Sequence, residues 1–243
     1  MASPQILPTL TLTDPFQGWS KSQLYAYGKK QLWSFLSVNG LKQPENILTY
    51  DEARENPNWY EARLLGKLES GPHQGTGTGW YHNGYIFVSL QRASRVITTP
   101  QFQNWSHPHY RVDREPCGVV CHEGGHHVQA MLRRVGTFDE HRWRAAVYSS
   151  TERRLNPFSP TGKKGKLKVK RVTNYEPVLD ESFAESMRLF ILNPGLLQAG
   201  LEARYNFITQ DCGLVPSNTL DWRKQMADYH PTYTKQAEKW IAL

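Results

Sequence analysis

Apolar positions recur at helical spacing over residues 18–38, where Leu24, Tyr27, Leu32, Phe35 and Leu36 share one face. The pattern predicts a helix there, with Gly40 placed to stop it. Residues 46–70 are mixed, with short strands expected at 47–50 and 63–68. Residues 77–82 and 85–90 flank an Asn83-Gly84 pair, and Asn-Gly tolerates the positive φ angles of a two-residue turn, so this stretch reads as a hairpin. Tyr85-Ile86-Phe87-Val88 is its clearest strand, and residues 99–115 read as loop. A long helix should start near Pro116, run to about Arg134 and stop at Gly136. Further helices are expected over 140–149 and 177–192, the second ended by Asn193-Pro194-Gly195. Residues 1–17 read as an extended lead, and the region of Tyr229, Tyr233 and Trp240 as helical and packed. With no internal repeat and no low-complexity linker, residues 1–243 fit a single α+β domain.

Composition narrows the class. A chain of 243 residues can bury a sizeable core. No apolar run reaches membrane-spanning length, so no membrane partner is expected. The N-terminus has neither the basic start nor the apolar core of a secretory signal. Three cysteines are an odd count, which argues for buried thiols in a reducing, intracellular setting rather than a disulfide framework. The net charge of +7 is partly local: Lys163, Lys164, Lys166, Lys168, Lys170 and Arg171 fall within nine positions. Such a cluster could touch nucleic acid or an acidic partner. No nucleic-acid-binding motif accompanies it, and a solvated loop is the simpler reading.

The chemistry concentrates in Cys121-His122-Glu123-Gly124-Gly125-His126-His127. On a helix His122 and His126 lie one turn apart on the same face, where two imidazoles can hold one zinc ion. Glu123 stands beside them, suited to take a proton from water polarised by the metal. A catalytic zinc needs a third protein ligand. The metzincin pattern is excluded, because its following Gly and His positions hold Gln129 and Leu132. A later carboxylate is the alternative, and Glu181 and Glu185 are the candidates. Their helix carries Phe183, Met187, Phe190 and Ile191 on one stripe, with Ala184, Leu189 and Leu192 on other sides, so it should be buried. Two buried carboxylates need a positive or donating partner. One of the pair could bind the metal while the other accepts the N–H of a ligand histidine. The competing reading is a Glu185–Arg188 pair with Glu181 at the surface. His127 is one step off the metal face and reads as a surface or supporting residue. Cys117 and Cys121 read as inert buried thiols, and Asp139 and His141 are the remaining alternative ligands.

His122-Glu123-Gly124-Gly125-His126, followed after about fifty residues by Glu181-Ser182-Phe183-Ala184-Glu185-Ser186-Met187-Arg188-Leu189, resembles the gluzincin peptidases of the anthrax lethal factor type. It is also similar to metallopeptidases encoded by tailed bacteriophages, in Val112-Asp113-Arg114 before the motif and Asn193-Pro194 after the second helix. The resemblance covers about residues 77–215. It leaves residues 1–70 as an N-terminal elaboration and 216–243 as a C-terminal helical segment. It implies a zincin-like fold with a small, mostly antiparallel sheet, and Glu181 as the third zinc ligand with Glu185 in support. It also implies Tyr175 as a donor to the substrate carbonyl, and a peptide or protein substrate. Residues 85–90 read either as the sheet edge on which an extended peptide lies or as an ordinary core strand. One departure stands out: a bulky residue is usual where this chain has Gly124, and Gly124 with Gly125 weakens a helix by ~1–2 kcal/mol relative to alanine. That departure and the likeness to phage proteins together motivate the second functional reading, a structural or assembly component of a phage virion that keeps a peptidase-like fold, with or without activity, and contacts other virion proteins. Either reading puts the chain in a host cytoplasm or on a particle.

Overall fold

The computed structural model describes residues 18–55, 59–70, 77–93, 115–148 and 179–217. In chain order they form α1 (Lys21–Val38), β1 (Asn46–Thr49), α2 (Tyr50–Glu55), α3 (Trp59–Glu69), β2 (Gly79–His82) and β3 (Tyr85–Val88). Then follow α4 (Pro116–Val135), α5 (Glu140–Val147), α6 (Leu179–Leu192), α7 (Pro194–Gly200), α8 (Glu202–Asn206) and a π-helical turn (Phe207–Asp211). The fold is α+β, mostly helical, with one three-stranded sheet.

The helices begin and end where local chemistry dictates. Ser20 opens α1 with a capping box: its Oγ accepts from Gln23 N (3.2 Å) and its N–H donates to Gln23 Oε1 (2.8 Å). Thr49 and Glu52 exchange the same pair of bonds, at 3.1 and 2.6 Å, where β1 gives way to α2. Pro116 stands in the first turn of α4, and Gly136 closes it at φ +74°. Asn193-Pro194 ends α6 and at once starts α7, since a proline that cannot continue one helix suits the first turn of the next.

The hairpin forms as expected. Asn83 (φ +46°) and Gly84 (φ +90°) make the turn, and the register runs from His82 opposite Tyr85 to Gly79 opposite Val88. Three expectations need correction. Residues 63–68 belong to α3, because Leu64, Leu65 and Leu68 pack on one helical face against Tyr50, Ala53 and Phe87. The sheet is mixed: β1 pairs parallel with β3, and β2 antiparallel. The order is β1-β3-β2, so the 85–88 strand is central and not an edge. Its uninterrupted apolar run Ile86-Phe87-Val88 is wholly buried, as befits a strand covered on both faces.

The outer side of β1 is covered. Ile47 O accepts from Tyr25 OH (2.8 Å) and Lys29 Nζ (3.4 Å), and Thr49 N donates to Glu52 Oε2. That leaves β2 as the other edge among the described residues.

Helix α4 runs through the middle, with α1 on one side and α6 on the other. Leu32, Phe35, Val120, Val128, Phe183 and Phe190 meet in one buried core, and Phe35 touches Phe190 edge to face at 5.9 Å. Trp143 of α5 packs edge-on against Phe183 at 5.2 Å. No helix among the described residues is long and apolar enough to cross a membrane.

Candidate metal centre

The centre of α4 is also where its backbone is most closely approached. A Cβ on Gly124 would lie 2.6 Å from Leu32 Cδ1 of α1, and one on Gly125 would lie 2.8 Å from Ala184 Cα of α6. On the α1 side, a Cβ on Gly28 would lie 2.7 Å from Cys117 Cα. The two glycines inside the histidine motif therefore let the neighbouring helices close on it. That closeness brings the first turn of α6 onto the face of α4 that carries His122 and His126.

The two imidazoles stand nearly perpendicular (84°), with ring centroids 5.0 Å apart. Glu181 reaches between them: its Oε2 is 3.1 Å from His122 Nε2 and 3.6 Å from His126 Nε2. One donor atom from each of the three residues falls within a 4.8 Å span, the arrangement one metal ion requires. Glu185, one turn further along α6, places Oε1 2.7 Å from His122 Nδ1 and Oε2 2.6 Å from Arg188 Nη2. Glu185 and Arg188 are both fully buried. The two readings of this helix thus coexist, since Glu185 pairs with Arg188 and also orients His122. Glu181 is only partly exposed.

One atom tests whether a cation fits. Glu181 Oε2 is buried and faces two imidazole nitrogens, and it is satisfied only if one of them carries a proton or a cation lies between. With Nδ1–H of His122 directed at Glu185, Nε2 of a neutral ring turns a lone pair towards that carboxylate oxygen. Two lone pairs at 3.1 Å repel unless a positive centre lies between them. A proton on His122 or a metal ion satisfies the site. Burial works against charge on His122, but Glu181 and Glu185 outweigh it and lift its pKa to about 10. Burial alone would raise Glu181, yet the two imidazoles hold it at about 2.

Glu123 lies beside the cluster and is nearly buried. Burial raises its pKa, and the nearby His122 and His126 offset this only in part. A carboxyl raised from its ordinary range is a better proton acceptor.

The other expected residues fall outside the cluster or outside the described chain. His127 turns away, donating through Nε2 to Lys42 O (2.9 Å) with its ring edge-on to Tyr81. Asp139 caps α5, accepting from the backbone N–H of His141 and Arg142. Cys117, Cys121 and Cys212 are buried and form no disulfide. Tyr175 and the basic run 163–171 lie outside the described residues.

Two features of the surroundings escape sequence reasoning. Arg204 is fully buried and bonds Ser186 Oγ at 3.1 Å, while Ser186 bonds Ser182 O, tying α8 to the helix that carries Glu181 and Glu185. Gly79 of β2 lies directly against Glu123. Neither leaves a periodic signal, because each depends on a partner distant in sequence.

Compared with known proteins, the chain matches no family model, no curated protein and no solved structure.

Proposed function

We propose that this chain is a zinc-dependent metallopeptidase of zincin-like fold, with His122, His126 and Glu181 as the metal ligands. The observation that carries the reading is the meeting of three possible donor atoms, from His122 and His126 of one helix and Glu181 of a second, within 4.8 Å of one another. Two imidazole nitrogens and one carboxylate oxygen suit zinc, whereas magnesium and calcium prefer all-oxygen sets. A zinc ion held by these residues would supply Lewis acidity and lower the pKa of water towards ~7. Glu185, fixed by Arg188, keeps the His122 proton on Nδ1 and so presents Nε2. Glu123 accepts the proton of the attacking water and delivers it to the departing amine. The resemblance adds Tyr175 as a donor to the carbonyl oxygen.

An extended peptide has β2 rather than β3 to pair with, since β3 is central and the outer groups of β1 are taken. The virion-assembly reading drew on the likeness to phage proteins and on Gly124, and the passage of Leu32 offers a packing reason for the second of these.

A Glu123→Gln protein is expected to keep its metal and lose about 10²–10⁴-fold in peptide cleavage. Metal analysis beside a peptide-library assay checks it. Cleavage at the wild-type rate contradicts the assignment of the base.

A further inference from the structure

Hydrolysis as proposed depends on where Glu123 holds its carboxylate, yet among the described residues no hydrogen bond fixes it. A glutamate side chain has three rotatable bonds, so its placement needs another cause. The cause lies in the backbone of β2. A Cβ on Gly79 would lie 2.6 Å from Glu123 Oε1, 2.9 Å from Glu123 Cγ and 2.6 Å from Val119 Cγ1. With no side chain on Gly79 the strand passes at this distance and lies as a wall against the carboxylate, which a Cβ would press out of its place.

That wall is held from the opposite face of the sheet. Thr78 O accepts from Ser89 N at 2.8 Å, keeping the strand in register with β3. Gly77 O accepts from both Tyr50 OH and Arg92 Nη1, each at 3.3 Å. Arg92 lies over the Tyr50 ring and is paired with Glu69, which also takes Arg54. Tyr50 belongs to the Phe87 cluster, on the side of the sheet away from α4. Tyr50 and Arg92 thus hold the backbone just before β2.

We propose that Gly79 is a positioning residue for Glu123, and that the Tyr50–Arg92 clamp on Gly77 keeps it in place. The proposal rests on the peptidase reading above. Its contact can be tested without metal or substrate, by a double-mutant cycle on thermal unfolding of the full chain in chelator. Gly79→Ala is expected to lower Tm by about 2 °C or more in the wild-type background. A measurable part of that loss should vanish in a Glu123→Ala background, where two of the three colliding atoms are gone and the contact with Val119 Cγ1 remains. Equal losses in both backgrounds overturn the proposal, whether or not the chain binds zinc.

The zinc-loaded protein then tests the consequence. Gly79→Ala is expected to keep its zinc and its KM within about twofold while kcat falls about tenfold or more. Arg92→Met is expected to lower kcat in the same sense, with Arg92→Lys recovering part of it. A Gly79→Ala enzyme with wild-type kcat overturns the positioning role. A wild type with neither zinc nor cleavage defeats the peptidase reading instead, and a non-additive cycle beside it still upholds the contact.

Discussion

His122 meets two carboxylates at once, Glu185 through Nδ1 and Glu181 through Nε2, and this governs how the metal-free chain responds to pH. Its pKa rises from 6.5 to about 10 because the two carboxylates outweigh burial, so its contribution to stability is whole below pH 6.5 and is lost as pH climbs towards 10. Glu181 falls from 4.5 to about 2 because the imidazoles outweigh burial, so its contribution is whole above pH 4.5 and is lost as pH drops towards 2. The stability difference between the wild type and Glu181→Gln, both metal-free, should therefore be greatest between pH 4.5 and 6.5 and shrink on either side. Denaturant midpoints measured across pH in chelator check this, and a difference that does not vary with pH contradicts it. At this scale much was legible beforehand. His122 and His126 followed from their one-turn spacing, and the pairing of Glu181 and Glu185 from two carboxylates on an apolar helix. Which of the pair faces the ion pocket was not legible from burial alone, because it depends on how α6 is rotated against α4.

At the scale of elements, the site exists because α4 and α6 touch backbone to backbone. A methyl on Gly125 meets Ala184 Cα at 2.8 Å and Ala184 O at 3.0 Å, main-chain atoms that cannot step aside. Alanine is the better helix former by ~1 kcal/mol. Overpacking of this kind costs ~1–3 kcal/mol and should dominate, because relief requires the helices to part. Gly125→Ala is thus expected to destabilise the chain and weaken metal binding together, since α6 carries Glu181. Gly124→Ala, whose three nearest atoms all belong to the branched end of the Leu32 side chain, should cost less. Denaturant unfolding and zinc titration of both variants check the order, and a Gly125→Ala chain as stable as wild type with unchanged affinity contradicts the account. The long helices and the Asn83-Gly84 hairpin were legible because their signals are local. The short helix α3 was not, since Leu64, Leu65 and Leu68 suit an apolar strand as well as a helical face. The parallel pairing of Asn46–Thr49 with Tyr85–Val88 was hidden too, because strand periodicity does not name a distant partner.

For the whole molecule, the topology joins a motif at 122–126 to a carboxylate at 181 through one core. Leu32 and Phe35 of α1, Val120 of α4 and Phe190 of α6 all belong to it. Sequence reasoning could place the candidate ligands on two helices, but the convergence of those helices is a property of the packed chain. The central claim is that this convergence makes a zinc site, and metal content tests it most directly. Elemental mass spectrometry of the purified wild type should find about one zinc per chain. His122→Ala and Glu181→Ala, still folded, should lose it. A folded wild type that carries no zinc and takes up none when it is supplied, or a Glu181→Ala chain that retains it in full, would contradict the account.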